Sequence, residues 1–250
     1  MNATPAYDRL GLGYRAIRAT DPKLAARIWS ALGHARTVLN AGAGTGSYEP
    51  PDRWVLALEP SPVMTAQRAN IAAPVLHAAV ESLPLADKTV DAAIAILTIH
   101  HWSSVEAGLR ELRRVTSQRI VIVTMDPAAL ANLWIVQDYL PELMGFHAAR
   151  FPSIERLREL LPGAAVDILA VPHDCQDGFM AAFWARPRAY LDPAVRAATS
   201  PWRDLSPAVV DRALARLQTD LDSGAWERRY GELRKRAELD VGLRLVTANP

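Results

Sequence analysis

The stretch VLNAGAGTGSYEP, residues 38–50, places three glycines and two alanines directly after an apolar run. Glycine gives up more conformational freedom on folding than other residues, so a cluster of glycines needs a reason. One reason is a sharp turn. Another is a ligand that must lie against bare backbone. The sequence on either side bears on the choice.

The runs TVLNA (37–41), WVLALE (54–59), PVLHA (74–78), VDAAIAIL (90–97) and RIVIVTM (119–125) all read as buried strands. They are short, rich in Val, Ile and Leu, and almost continuously apolar, as parallel strands covered on both faces should be. Helical patterns lie between them. Residues 61–70 open on a Ser N-cap followed by Pro, and 104–115 set Val105, Leu109, Leu112 and Val115 on one face. Strand–helix alternation predicts an α/β fold with a parallel sheet.

The pattern changes after Asp126. Residues 127–146 and 153–161 read as helices, 165–173 as a strand, and 177–239 as mostly helical. Within the last segment, 207–238 reads as one solvated amphipathic helix. Residues 240–248 return to a strand pattern. Five strands therefore precede two later ones, and the helical insertions are expected to cover the ligand edge of the sheet.

Composition narrows the function. Half of the 250 residues are apolar and 22% are charged, with a net charge of +1. That is an ordinary globular balance, without the strong field that draws nucleic acid or an anionic membrane. The single cysteine, Cys175, excludes an internal disulfide and a cysteine zinc cage. A reducing cytoplasm is the expected compartment. The N-terminus lacks the basic start and apolar core of a signal peptide, and no apolar run reaches spanning length.

In an open α/β sheet, ligands bind at the carboxyl ends of the strands. Gly42, Gly44 and Gly46 lie there. Glu59 ends the next strand, where a carboxylate can accept from two vicinal ribose hydroxyls at once. A dinucleotide asks for G-x-G-x-x-G. Here the run is G-A-G-T-G-S, with Ser47 in the last place, which leans away from NAD.

These residues resemble the class I S-adenosylmethionine (SAM)-dependent methyltransferases, in particular the small-molecule subgroup called type 11. VLNAGAGTG is similar to the family's first motif and LALEPSPVM to its second. AAVESLPLADKTVDAAIAILTIHHW is similar to the segment that flanks adenine and carries the fourth strand. GLRELRRV and RIVIVTMDP match the following helix and fifth strand. The likeness runs without a gap from about residue 37 to 127.

The resemblance implies a Rossmann-like, seven-stranded, mostly parallel sheet whose last strand is antiparallel beside the fifth, with a helical substrate cap. The implied parts are an N-terminal helical lid (1–36), a SAM-binding core (37–126), cap insertions around a sixth strand (127–239) and a final strand returning to the core (240–250). The implied cofactor is SAM. Its partner would be a small-molecule substrate, with neither nucleic acid nor membrane, on a monomer or homodimer. Two departures stand out: Asn40 occupies a place where most members carry Asp, and Ala79 one where many carry an adenine-binding Asp.

SAM carries no phosphate, so a glycine loop without Lys or Arg suits it. The expected cofactor residues are Asn40, Gly42, Ala43, Gly44 and Gly46 in the loop, and Glu59 on the ribose. Pro60, Ser61 and Met64 would wall the adenine, with a backbone contact from Val80 or Glu81. Leu97 and Thr98 complete the set after the fourth strand. In the N-terminal stretch, Tyr7, Tyr14 and Arg18 share a helix face; Arg18 suits the SAM carboxylate and the tyrosines a lid. The alternative there is a solvated helix.

His100 and His101 are candidate general bases, because an unperturbed His titrates near neutrality; shaping the pocket is the alternative. Substrate residues are expected at Trp102, Trp134, Asp138, Tyr139, His173 and Phe179, with Asp177 in the same polar run HDCQDGF. No metal is expected. The rival readings are a SAM-binding partner without catalysis and a nucleotide-cofactor oxidoreductase.

Overall fold

The computed structural model describes residues 14–69 and 72–250. Tyr7 lies outside the described residues. The strands are β1 (Thr37–Ala41), β2 (Trp54–Leu58), β3 (Val75–Leu76), β4 (Val90–Ile96), β5 (Thr116–Met125), β6 (Ala165–Ile168), β7 (Val171–Pro172), β8 (Glu238–Leu239) and β9 (Leu243–Ala248). Seven form one sheet in the order β3-β2-β1-β4-β5-β9-β6; β7 and β8 form a separate pair. β1 to β5 run parallel. β9 is antiparallel to both β5 and β6 and sits between them. The order reverses between β1 and β4, which opens a crevice at their carboxyl ends.

The helices are α1 (Tyr14–Ile17), α2 (Pro22–Ala31), α3 (Pro62–Thr65), α4 (Val105–Val115), α5 (Pro127–Leu130), α6 (Leu143–Arg150), α7 (Ile154–Leu160), α8 (Pro193–Ala197), α9 (Ser200–Arg203), α10 (Pro207–Asp222) and α11 (Ala225–Tyr230). α4 begins where the Ser104 side chain accepts from the Ala107 N–H and buries Leu109, Leu112 and Val115 on one face of the sheet. On the other face, Leu24 and Ile28 of α2 share a cluster with Val38, Val121 and the cap residues Trp134, Trp184 and Trp226. The N-terminal helices and the cap are thus packed on the same apolar layer.

Several elements differ from expectation. The helix expected over 61–70 is a single turn at Pro62–Thr65, started by the Ser61 side chain accepting from the Met64 N–H. The strand expected over 165–173 splits. Its first part joins the sheet edge, and Val171–Pro172 peels off to pair with β8. The helix expected over 127–146 breaks into α5, a π turn at Ile135–Tyr139 and the start of α6. The helix expected over 207–238 ends at Asp222; Gly224, at φ 72°, turns the chain into α11. Nor is this region only a solvated surface. Ala213, Leu217 and Trp226 are buried, and Trp226 lies 5.3 Å from Trp134, edge-on. A helical moment cannot report that a second, aromatic element folds back onto the first.

No helix among the described residues is long and apolar enough to cross a membrane.

Candidate functional site

At the carboxyl ends of β1, β2 and β4 lies a cavity of about 360 Å³. The glycine loop forms its floor. Gly42 has φ 73°, and a Cβ there would stand 2.0 Å from Thr98 Oγ1. Only glycine lets the loop come this close to the end of β4. The N–H groups of Gly42 and Ala43 both donate to the Leu58 carbonyl, 2.9 Å each, which ties the loop to the end of β2.

The next residue, Glu59, is 8% exposed. Its carboxylate accepts from the Gly44 N–H at 2.8 Å and from the Ser61 N–H at 2.8 Å. Those two donors fix the carboxylate on the cavity wall.

One end of the cavity is apolar: Met64, Ala78, Ala79, Val80 and Trp102 line it. Trp102 reaches there because Gly108 on α4 makes room; a Cβ at 108 would be 2.5 Å from the indole. Glu81 takes the N–H and hydroxyl of Ser103 at 2.6 and 2.8 Å. Its partial burial pushes its pKa up. Hydrogen bonds from its own N–H, from the Ser103 hydroxyl and from the Ser104 and Ser103 N–H groups outweigh this and hold it below the ordinary carboxylate range.

The other end is charged. Arg18 Nε donates to Asp177 Oδ1 at 2.6 Å and its Nη1 to the Tyr14 hydroxyl at 2.8 Å. Tyr48 donates its hydroxyl to Asp177 Oδ2 at 3.0 Å. Ile17 accepts from the Gly178 N–H at 2.9 Å, and residues 18 and 177 form an antiparallel bridge. The N-terminal segment and the cap are thereby strapped together beside the glycine loop. Ser47 anchors the strap by donating to the Arg18 carbonyl at 3.1 Å.

A second, smaller cavity of about 60 Å³ adjoins the first; Arg18 and Leu97 line both. Leu97 has φ 50°, a strained conformation for a side chain branched at Cγ. Strain of this kind gathers at sites where the surrounding structure dictates the backbone. Met125, Leu130, Phe179 and Met180 form the apolar walls of the second cavity, and His100 lies on it, stacked on Phe151 at 4.1 Å. His101 lies 3.8 Å from His100 but lines the larger cavity. The two imidazoles therefore form part of the partition. Burial pushes the His101 pKa down, helped by the charges of Arg150, Arg203 and Arg18, to about 4.

Comparisons with known proteins agree with this geometry. Residues 39–123 match the sequence model of a family described as a methyltransferase domain. A solved structure from Anabaena variabilis, described as a methyltransferase from an antibiotic biosynthesis pathway, is 33% identical. It covers 93% of this chain and 98% of its own, with a TM-score of 0.86. The chain belongs to the SAM-dependent methyltransferase family.

A curated malonyl-acyl-carrier-protein O-methyltransferase from Erwinia pyrifoliae is 42% identical over 90 residues, and the match spans 34% of each chain. The likeness to that relative thus covers only about a third of its length. The cyclase SpnF, at 16% identity and a TM-score of 0.57, shares the fold alone.

In this family member, Tyr14, Arg18, Asn40, Gly42, Ala43 and Gly44 line the larger cavity, as do Glu59, Pro60, Ser61, Met64, Val80, Glu81, Leu97 and Thr98. Gly46 does not. It turns away at φ 94° over the ion pair of Arg68 and Glu49, with Arg68 Nη1 3.2 Å from where its Cβ would be. Asn40 also faces this pair: its amide donates to Glu49 Oε1 at 3.2 Å. The missing charge at position 40 thus has a local reason, because an Asp there would face a carboxylate.

Of the expected substrate residues, Phe179 lies on the second cavity, and Trp102 lies on the larger one instead. The other four line neither cavity. Trp134 is 2% exposed and donates its indole N–H to the Trp184 carbonyl at 2.8 Å inside the cap. Asp138 is held by Arg229 and the Tyr230 hydroxyl. Tyr139 donates to Asp220 at 2.7 Å. His173, exposed, follows β7, with its Nδ1 3.2 Å from the Ala237 carbonyl. The Trp134 indole N–H and the Asp138 and Tyr139 side chains are bonded within the cap. Sequence reading placed no role on Thr45, Ser47, Tyr48 or Ser103, which line the larger cavity. Only their adjacence to the glycine loop and to TIHHW offered a signal. The described residues contain no group of three or more His, Cys, Asp or Glu side chains placed to hold a metal.

Proposed function

We propose that the chain binds SAM in the larger cavity and transfers its methyl group to a small molecule that reaches the neck at Leu97 from the second cavity. The carrying observation is Glu59: a buried carboxylate, set by two backbone N–H groups, on a wall floored by an obligatory glycine. That arrangement fits a vicinal diol. Gly42, Ala43 and Gly44 would bear on the methionyl and ribose parts. Met64, Val80 and Trp102 would enclose the adenine by packing, which suits the absence of an acid at Ala79. Arg18 and Asp177, opposite charges side by side, suit the carboxylate and ammonium of the amino-acid end.

The cofactor supplies a methyl group already activated by the positive sulfur. What remains for the protein is alignment and exclusion of water. The strap of Tyr14, Arg18 and Asp177 covers the site. Leu97, held in its strained backbone form, sets the passage between the cavities. His101, neutral above about pH 4, faces the site as a hydrogen-bonding wall.

The printed activity of the Erwinia relative concerns a malonyl group, and the Anabaena structure is described within antibiotic biosynthesis. Both support an acceptor group of metabolite size in bacterial metabolism. We place this activity in the reducing cytoplasm, which suits a free, buried Cys175, on a monomer or homodimer.

The test is calorimetric titration with S-adenosylhomocysteine (SAH), with NAD as the control. Micromolar SAH binding and no NAD binding are expected. Glu59→Ala removes hydrogen bonds to a charged acceptor and should weaken SAH by about 2–3 kcal/mol, roughly 30- to 150-fold. Unchanged affinity in that variant would remove the ribose assignment.

A further inference from the structure

The ion pair of Glu49 and Arg68 lines neither cavity, yet it reaches the larger one through Asn40. We propose that Glu49 is a positioning residue for the cofactor's ammonium: it takes the amide N–H of Asn40 and so turns the Asn40 carbonyl oxygen toward that group. This inference rests on the SAM reading above.

Three observations carry it. The first is the pair itself. Arg68 Nη2 donates to Glu49 Oε1 at 2.7 Å and to Oε2 at 3.0 Å, and both side chains are largely buried. Arg68 is held in turn by the carbonyls of Gly44 and Ala73, at 3.4 and 3.2 Å. The Ala73 N–H donates to Glu49 Oε2 at 3.4 Å. A charge pair this buried is costly to break and has little freedom to move. Gly46 leaves it room. A Cβ there would stand 3.2 Å from Arg68 Nη1 and 3.4 Å from Glu49 Oε2. The third glycine of the loop thus serves the pair and not the cavity.

The second is the sense of the amide. Asn carries a donating nitrogen and an accepting oxygen on one planar group, and an ionised carboxylate only accepts. The nitrogen must therefore face Glu49, and it does so at 3.2 Å. Turned over, the amide would set its oxygen against the carboxylate. Glu49 leaves one orientation open, with Oδ1 on the branch that points away from the pair.

The third is what Oδ1 meets. Asn40 is buried and borders the larger of the two cavities. No described residue donates to Oδ1, and Oδ1 is not sealed from open space. The same cavity is lined by Arg18 and Asp177, which suit the amino-acid end of the cofactor. An ammonium brings three N–H donors. Asp177 already accepts from Arg18 and Tyr48, and Asn40 Oδ1 offers a second acceptor. Arg68, Glu49 and Asn40 thus form a line that ends on the ammonium.

The experiment titrates the protein by calorimetry with SAH and two of its analogues. One analogue has hydrogen in place of the amino group, the other hydrogen in place of the carboxylate. The wild type should bind SAH at least tenfold more tightly than the amine-free analogue. Glu49→Ala frees the Asn40 amide to turn. It should weaken SAH and the carboxylate-free analogue at least fivefold each and leave the amine-free analogue within twofold. Because Glu49→Ala strands the Arg68 charge, a second variant, Glu49→Leu with Arg68→Met, removes both charges and should show the same selective loss. Binding of the amine-free analogue reports that a variant is folded. Parallel weakening of all three ligands makes Glu49 a structural support of the loop and overturns the proposal. So does an unchanged SAH affinity in either folded variant. A wild type that binds SAH no more tightly than the amine-free analogue overturns it without any variant. A wild type that binds none of the three instead fails the cofactor reading, and this inference falls with it.

Discussion

The sheet half and the cap of this molecule are built on different terms. From β1 to β5 the site is made largely of backbone: a loop pressed against Thr98, and a carboxylate held by two N–H groups. In the cap the aromatic side chains do the holding. Trp134 meets Trp226, Tyr139 and Tyr190 edge-on at 5.3 to 5.7 Å, and its indole N–H reaches the Trp184 carbonyl. Backbone geometry at strand ends repeats with the strand–helix period and is therefore written locally. Trp134 joins Tyr190 and Trp226 across more than fifty positions of chain, and neither partner marks the other in the sequence. The two halves meet at the strap, where Arg18 of the N-terminal segment pairs with Asp177 of the cap beside Tyr48 of the loop.

If the cap is held by its aromatic cluster, Trp226→Ala should remove about 3–5 kcal/mol of stability through the cavity it leaves. Urea unfolding measures this. SAH affinity of the folded fraction should stay within threefold, because Trp226 lines neither cavity. A loss of SAH affinity in step with stability would mean that the two halves are not separable.

Asp177→Asn addresses the strap. Asp177 is 2% exposed, and neutralising it removes a charge that Arg18 pairs with and Tyr48 donates to. A cost of about 3 kcal/mol is expected. Here, unlike at Trp226, SAH affinity should fall as well. Retained affinity would make the strap a purely structural tie.

The smallest effect comes from His101 and follows pH. Its folded-state pKa of about 4 lies below its ordinary 6.5. Between these values the unfolded chain binds more protons, so stability is fully present above pH 6.5 and falls as pH drops toward 4. From pH 7.5 to 5 the loss is about 2 kcal/mol. His101→Gln should flatten that part of the urea-derived stability curve. An unaltered slope would assign the acid sensitivity elsewhere.

Much of the fold could be read in advance because its signals were short-range. Each buried strand showed as an apolar run, and the late strand 240–248 falls beside β5, in antiparallel sense. The failures had equally specific causes. Residues 61–70 carry a good N-cap, but only one turn forms, and Arg68 turns inward to pair with Glu49. Residues 165–173 look uniform, but the second part finds a partner in Glu238–Leu239, far along the chain. Gly224 lay inside a periodic pattern and was read through, although it ends a helix.

The site divides in the same way. Glu59, the loop glycines at 42 and 44 and the segment around Thr98 were legible, because ligands of an open α/β sheet gather at strand ends and those ends follow from the strands. Gly46, Trp134, Asp138, Tyr139 and His173 line neither cavity. Neighbours that only folding brings near hold several of them: Asp220 at Tyr139, Arg229 at Asp138, and Arg68 beside Gly46.

By itself the sequence determined the sheet, the position of the crevice and the adenosyl character of its ligand. Each of these depends on residues within a turn or a strand of one another. Tertiary structure alone decided which cap residues reach the crevice, that Asp177 answers Arg18 across 159 positions, and that His101 stays neutral. Burial and charge at a point are sums over every segment that packs there, and no local pattern contains that sum.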